Sequence, residues 1–196
     1  MGVKLVSASA GSVEIVPPTT ASNYTATLPA GTGTMVVNGI NGSIVSGTAV
    51  NSTSGTSIDF TSIPSWVKRI TVMFNGVSTS GTSNPLIQIG TGGSATTSGY
   101  LSTSANISSS AASQANYTTG FGIVSSSATN TISGAIAIFN ISGNIWIASG
   151  VTKNSTTAAA MSAGDVTLAG VLNIVRITTV NGTDTFDAGS INILYE

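Results

Sequence analysis

The sequence predicts an all-β chain, an antiparallel and jelly-roll-like β-sandwich with an extended, β-rich N-terminal arm. Three observations predict it. Short segments with apolar residues at alternate positions recur at fairly regular spacing between turn residues, the pattern of a sandwich. No segment makes a convincing helix. Charged residues are only 6% of the chain and apolar ones 41%, so most of the polarity comes from Ser, Thr, Asn and 23 glycines, which suit strands, tight turns and neutral surfaces.

The 196 residues suffice for one domain plus an arm and fall short of two domains of typical size. Disordered chains are charge-rich and poor in Val and Ile, so this composition argues against disorder. Few charges also lower the cost of placing many copies side by side, which points to a symmetric assembly.

Residues 1–46 form the predicted arm. Short strands at Val3–Val6, Val13–Val16, Tyr24–Leu28 and Thr34–Val37 are separated by Pro17-Pro18 and Pro29-Ala30-Gly31. Each is too short to build a core of its own. Such an arm gains stability by winding around identical arms in a trimer or by lying on another protein. Leu5, Val13, Ile15, Tyr24 and Leu28 are the predicted anchoring residues. Asn38-Gly39 and Asn41-Gly42 mark a turn-rich hinge, and the body is expected over 47–196.

The body is organised around Ser57–Ser83. Ile58-Asp59-Phe60 leads through a corner at Pro64-Ser65-Trp66 into a strand with Ile70, Val72 and Phe74 on one face and Thr71 and Met73 on the other. Asn75-Gly76, a turn dipeptide, is expected to close it. The predicted strands are Ser57–Phe60, Arg69–Asn75, Leu86–Ile89, Tyr117–Val124, Thr131–Ile141, Asn144–Ala148, Gly170–Thr179 and Ser190–Tyr195. Ser-rich Ser108–Ala115 is expected as loop, because Ser favours caps and turns. Ser155–Ala163 is expected to hold at most one helical turn. The Ser/Thr/Gly runs Ser78–Asn84, Thr91–Gly99 and Ser102–Ser113 are expected as ordered loops. Ala135–Ala148 is too short and too interrupted for a membrane span of about 20 residues; it is read as two buried strands joined by Ser142-Gly143-Asn144. Met1–Ala10 has no long apolar core of a signal peptide.

Little catalytic chemistry is on offer. The chain has no His and no Cys, which removes the commonest bases, thiolate nucleophiles, disulfides and zinc ligands. No Gly-x-Ser-x-Gly elbow occurs. The carboxylates are Glu14, Asp59, Asp165, Asp184, Asp187 and Glu196, with no pairing typical of a glycosidase. The chain is therefore expected to be no enzyme and to need no cofactor or metal. Lys4, Lys68, Arg69, Lys153 and Arg176 are scattered and the net charge is −1, so no footprint for nucleic acid exists. Asp184 and Asp187 are read as turn caps around Gly182 and Gly189 rather than Ca²⁺ ligands, since no loop of alternating acidic residues surrounds them. Trp66 and Trp146 are read as core or subunit-interface residues rather than sugar platforms, and Gly90-Thr91-Gly92-Gly93 as a turn. The Asn-x-Ser/Thr triplets at Asn23, Asn51, Asn106, Asn116, Asn140 and Asn154 are expected by chance in so Ser/Thr-rich a chain.

Three phrases of the sequence carry a resemblance. IPSWVKRITVMFNGVSTSGTSNPLIQIG, with Gly99-Tyr100 of TSGYLSTS, resembles a module of tailed-bacteriophage and prophage virion proteins. RITTVNGTDTFDAGSINILYE resembles the end of the same module, and GSVEIVPPTTASNYTATLPAGTGTMVV is similar to short β-repeats near phage fibre heads. The resemblance implies a non-enzymatic, trimeric structural protein on the particle surface, assembled in the host cytoplasm. Its implied partners are itself, the major capsid protein or tail proteins, and in one reading a host-surface glycan. A capsid decoration (cement) protein fits a short arm, a low charge and no shaft. A tail fibre or receptor-binding protein fits the phrase similarity. A carbohydrate-binding lectin module is a third alternative and requires surface aromatics such as Tyr100 or Tyr117.

Overall fold

A computed structural model describes residues 3–6, 12–15, 44–109, 111–125 and 127–196, and among these residues every regular element is a β-strand. The chain divides into two units, Met1–Met35 and Val36–Glu196. In the first, β1 (Val3–Val6) and β2 (Ser12–Ile15) form an antiparallel pair with Val3 opposite Ile15 and Leu5 opposite Val13. The second arm strand thus begins at Ser12, one residue before its predicted start. The strands expected at Tyr24–Leu28 and Thr34–Val37 lie outside the described residues.

The second unit runs through β3 (Val45–Ser46), β4 (Val50–Asn51), β5 (Ile58–Thr61), β6 (Arg69–Thr79), β7 (Pro85–Thr91), β8 (Ser94–Ala95) and β9 (Leu101–Ser108). It continues with β10 (Ala112–Tyr117), β11 (Phe121–Gly122), β12 (Ile132–Ser142), β13 (Ile145–Lys153), β14 (Ala158–Thr167), β15 (Leu172–Thr179) and β16 (Phe186–Tyr195). They form two antiparallel sheets. The larger has the order β10-β9-β14-β13-β12-β6-β16-β3, with β4 also on β16; the smaller has the order β11-β7-β15-β5, with β8 on β7. The pairs β6·β16, β7·β15, β9·β14 and β12·β13 nest inside one another, as in a folded jelly-roll hairpin. Three of the four pairs share the larger sheet, and only β7·β15 crosses to the other. β3 falls within the 1–46 segment that the sequence assigns to the arm, and it pairs with β16 of the body.

The sandwich core follows from the alternation. Ile70, Val72 and Phe74 of β6 and Ile136 and Ile138 of β12 face Ile87 and Ile89 of β7 and Val175 and Ile177 of β15 in one buried cluster. Two inner faces meeting this way make a core about 10 Å thick. Full burial of one such side chain stabilises by about 1.5–3 kcal/mol. At the corner, Val67 N–H donates to the Pro64 carbonyl. Trp66 lies partly buried with its ring 6.0 Å from that of Tyr195.

Several local expectations change: the strand expected over Tyr117–Val124 is instead the end of β10 and the two-residue β11, and Ala112–Ala115, expected as loop, belongs to β10. Asn75-Gly76 does not close its strand; β6 continues to Thr79. Gly76 takes φ +63°, and the ladder to β16 slips between Ala188 and Ser190. This is a bulge built on a left-handed glycine. Gly189 opposite is also left-handed, and a Cβ there would stand 2.5 Å from the Gly76 carbonyl. The run Ser102–Ser113, expected as loop, supplies β9 and the start of β10. Ser155–Ala163, expected to hold a helical turn at most, leads into β14. Ala135–Ala148 does form two strands, with Ser142 paired to Ile145 across Gly143-Asn144, but they are buried on one face only: Ile141, Ile145 and Ile147 are exposed. Gly143 has φ +51°, the positive first position that a type II′ turn needs. No helix among the described residues is long and apolar enough to cross a membrane.

Candidate interaction surfaces

Two ion pairs stand in separate places on the body. Arg176 grips Asp59 with two hydrogen bonds of 2.7 Å, from Nε to Oδ1 and from Nη2 to Oδ2. The Asp59 carboxylate raises the pKa of this guanidinium. Arg69 pairs with Glu196 at the other end of the chain. Among the described residues no three of His, Cys, Asp and Glu gather as a metal site would require.

The Asn181–Asp187 loop shows what its two carboxylates do. Asp184 Oδ2 accepts from the Ser83 backbone N–H at 2.9 Å, and Oδ1 accepts from Asn181 Nδ2 at 2.7 Å. These bonds hold its carboxyl below the usual range. Asn181 Oδ1 in turn accepts from the backbone N–H of Thr183 and of Asp184. Asp187 accepts from the Ser78 hydroxyl. Each carboxylate thus ties its loop to the β6–β7 connection or to β6. Gly81 is required beneath, because a Cβ there would lie 2.2 Å from Asp184 Oδ2.

The aromatic residues named as sugar platforms are not on the surface. Tyr100 and Tyr117 are both buried, which corrects the expectation that they offer themselves to a glycan. Tyr100 meets Phe121 edge to face at 5.0 Å, and its hydroxyl bonds to the backbone of Ile89. Tyr117 packs with Leu86 and Val124, its ring lying over Gly122, where a Cβ would be 2.2 Å away. Trp146 is buried in the main core.

Of the predicted anchoring residues, Leu5, Val13 and Ile15 come together on the β1–β2 pair, where Leu5 and Val13 are direct cross-strand partners. Tyr24 and Leu28 lie outside the described residues. One feature escaped the sequence reading: an open hollow of about 360 Å³ on the outer side of the smaller sheet, lined by Gln88, Thr119, Arg176, Thr178 and Asn181 among others. Its lining combines hydroxyl, amide and guanidinium groups with Leu86 and Val180, and it lacks any aromatic ring to stack on a sugar. The residues come from β7, β15 and two loops, so no local motif announces it.

Comparison with family models, with curated proteins and with solved structures finds no match to this chain.

Proposed function

We propose that this chain is a non-enzymatic structural protein of a tailed-phage virion, a homotrimer that decorates the capsid. The observation that carries the reading is the two-unit chain: a small N-terminal unit holding a β-hairpin, and a rigid, nearly uncharged all-β body. Among the described residues no third strand pairs with Val3–Val6 or Ser12–Ile15, and an open strand edge invites pairing with another chain. In this reading the arm docks on the major capsid protein, through strand pairing and the apolar side chains of Leu5, Val13 and Ile15. The body trimerises and stiffens the particle surface. The phrases that resemble phage virion modules support the same class.

A tail-fibre role keeps the same architecture and changes only the partner, from capsid to tail proteins. The lectin reading loses its support, since its two tyrosines are buried. Anchoring is tested with the full chain carrying Leu5→Asp and Val13→Asp, added to particles that lack the protein. Particle-bound protein is expected to fall several-fold against the unaltered chain. Occupancy equal to the unaltered chain would refute anchoring through the arm.

A further inference from the structure

A sheet face in water alternates with the core face as polar against apolar, and the larger sheet breaks this rule. Six exposed apolar side chains, Leu101, Ile107, Ile145, Ile147, Val151 and Met161, stand on the outer face of three adjacent strands, β9, β14 and β13. Leu101 is 70% exposed, Val151 56% and Met161 44%. The register sets two of them side by side in a continuous row. Val151 is opposite Met161, and Met161 is opposite Ala105; in the other direction Val151 is opposite Ala135, and Ala135 is opposite Met73. One row thus crosses five strands without a charge. The row beside it, Thr103, Ala163, Ser149, Ala137 and Thr71, is small and neutral. Asp165 stands between Leu101 and Ile147, two rows from the Val151–Met161 row on one side, and Lys153, level with Ile107, stands in the next row on the other.

The face also has relief. A hollow of about 460 Å³ borders Tyr100, Leu101, Thr103, Asn116, Tyr117 and Ala163 among others. A second of about 380 Å³ borders Thr103, Ala105, Gln114, Met161 and Ala163. They share Thr103 and Ala163 and so form one trough.

Size says what kind of partner fits. Strands about 4.8 Å apart, rising about 3.3 Å per residue, give the five strands of this row and seven residues a projected face of roughly 550 Å². That lies at the upper end of the largest patch on a typical monomer, about 300–600 Å² and often functional, and covers more than half of one side of a standard interface, about 800 Å² per partner. A face without charges at its centre offers nothing to a charged partner. It is matched by a surface of the same neutral composition, which every other copy of this chain provides. We infer that the outer face of the larger sheet is where copies of this chain meet, each burying the Val151–Met161 row against the next. Asp165 and Lys153 remain at the mouths of the contact, in water. The inference rests on the homotrimer proposed above and names the surface that closes it.

The test uses the full chain, with mass measured in solution by light scattering and native mass spectrometry. The unaltered protein is expected at three times the 19.3 kDa chain mass. Val151→Lys and Met161→Glu are expected at the single-chain mass with an unchanged far-ultraviolet spectrum, while Val171→Glu and Val180→Lys, exposed apolar sites off this face, keep the trimer. Peroxide oxidation of Met161 in the unaltered protein, which needs no variant to fold, is expected several-fold slower than in a free peptide. Variants that retain the trimer mass, or a Met161 that oxidises as fast as the peptide, overturn the assignment of this face and leave the trimer standing. An unaltered chain at the single-chain mass overturns both.

Discussion

The Tyr100 hydroxyl meets both backbone groups of Ile89, accepting from its N–H at 2.8 Å and donating to its carbonyl at 3.0 Å. On that edge of β7, Ile87 pairs with Phe121 of β11 and Gly90 pairs with Ala95 of β8. Ile89 falls in the gap between these two short strands, and a side chain stands in for the missing one. Tyr100→Phe keeps the ring against Phe121 and strands the fully buried Ile89 N–H. An unpaired buried donor costs about 1–3 kcal/mol. Urea unfolding is expected to show a loss of that size with an unchanged slope; stability equal to the parent would contradict the bridging role.

Alkaline pH attacks the same region. Burial raises the Tyr100 phenol well above its ordinary value and pushes Tyr117 up to about 12, against about 10 in an unfolded chain. A group with a raised folded pKa favours the folded state fully below its unfolded pKa, and that contribution is lost as pH climbs through the folded value. The melting temperature is therefore expected to fall from about pH 10 upward, with phenolate absorbance appearing at the unfolding transition. Phenolate absorbance from all four tyrosines near pH 10, in protein that is still folded, would contradict the burial account.

Calcium is expected to do nothing. Asp184 spends its oxygens on Ser83 N–H and Asn181, and Asp187 spends one on Ser78. Millimolar Ca²⁺ should leave the melting temperature unchanged, whereas Asp184→Ala should lower it by freeing the loop. Because hydrogen bonding depresses the Asp184 pKa, its contribution is present above the ordinary carboxylate pKa and is lost as pH falls through the folded value. A calcium-dependent rise in melting temperature would show that the loop binds metal.

The end of the chain is expected to be indispensable. β16 lies between β6 on one side and β3 and β4 on the other. Glu196 closes the sheet by accepting from the Lys68 and Arg69 N–H groups and donating to the Arg69 carbonyl. Removing Ser190–Glu196 also deletes Ile191 and Ile193 from the core. The truncated protein is expected to be insoluble or to melt without cooperativity, and a soluble protein with a cooperative melt would refute this placement.

What the sequence revealed and what it hid have a common cause. Ile70, Val72 and Phe74 alternate cleanly because both their neighbours in the core are aliphatic, and this strand is legible at sight. β9 is hidden because its inward residues are Ser102 and Ser104, both buried. Their hydroxyls accept from the backbone N–H groups of Gly122 and Val124, so at this end the sandwich is held by hydrogen bonds rather than apolar side chains. β14 faces the same region with Ala160 and Ser162, and the Ser162 hydroxyl donates to the Gly122 carbonyl. Alternation of Ala, Ser and Gly leaves no hydrophobic period to detect. The apolar outer face was hidden for the complementary reason. Its members lie on separate segments, and only the register of β9, β14, β13, β12 and β6 brings Ala105, Met161, Val151, Ala135 and Met73 into one row.

Copy number on the particle tests the central proposal most directly. Quantitative mass spectrometry of purified virions, scaled to the major capsid protein, is expected to give hundreds of copies of this chain per particle. A dozen or so copies would contradict capsid decoration and assign the chain to the tail.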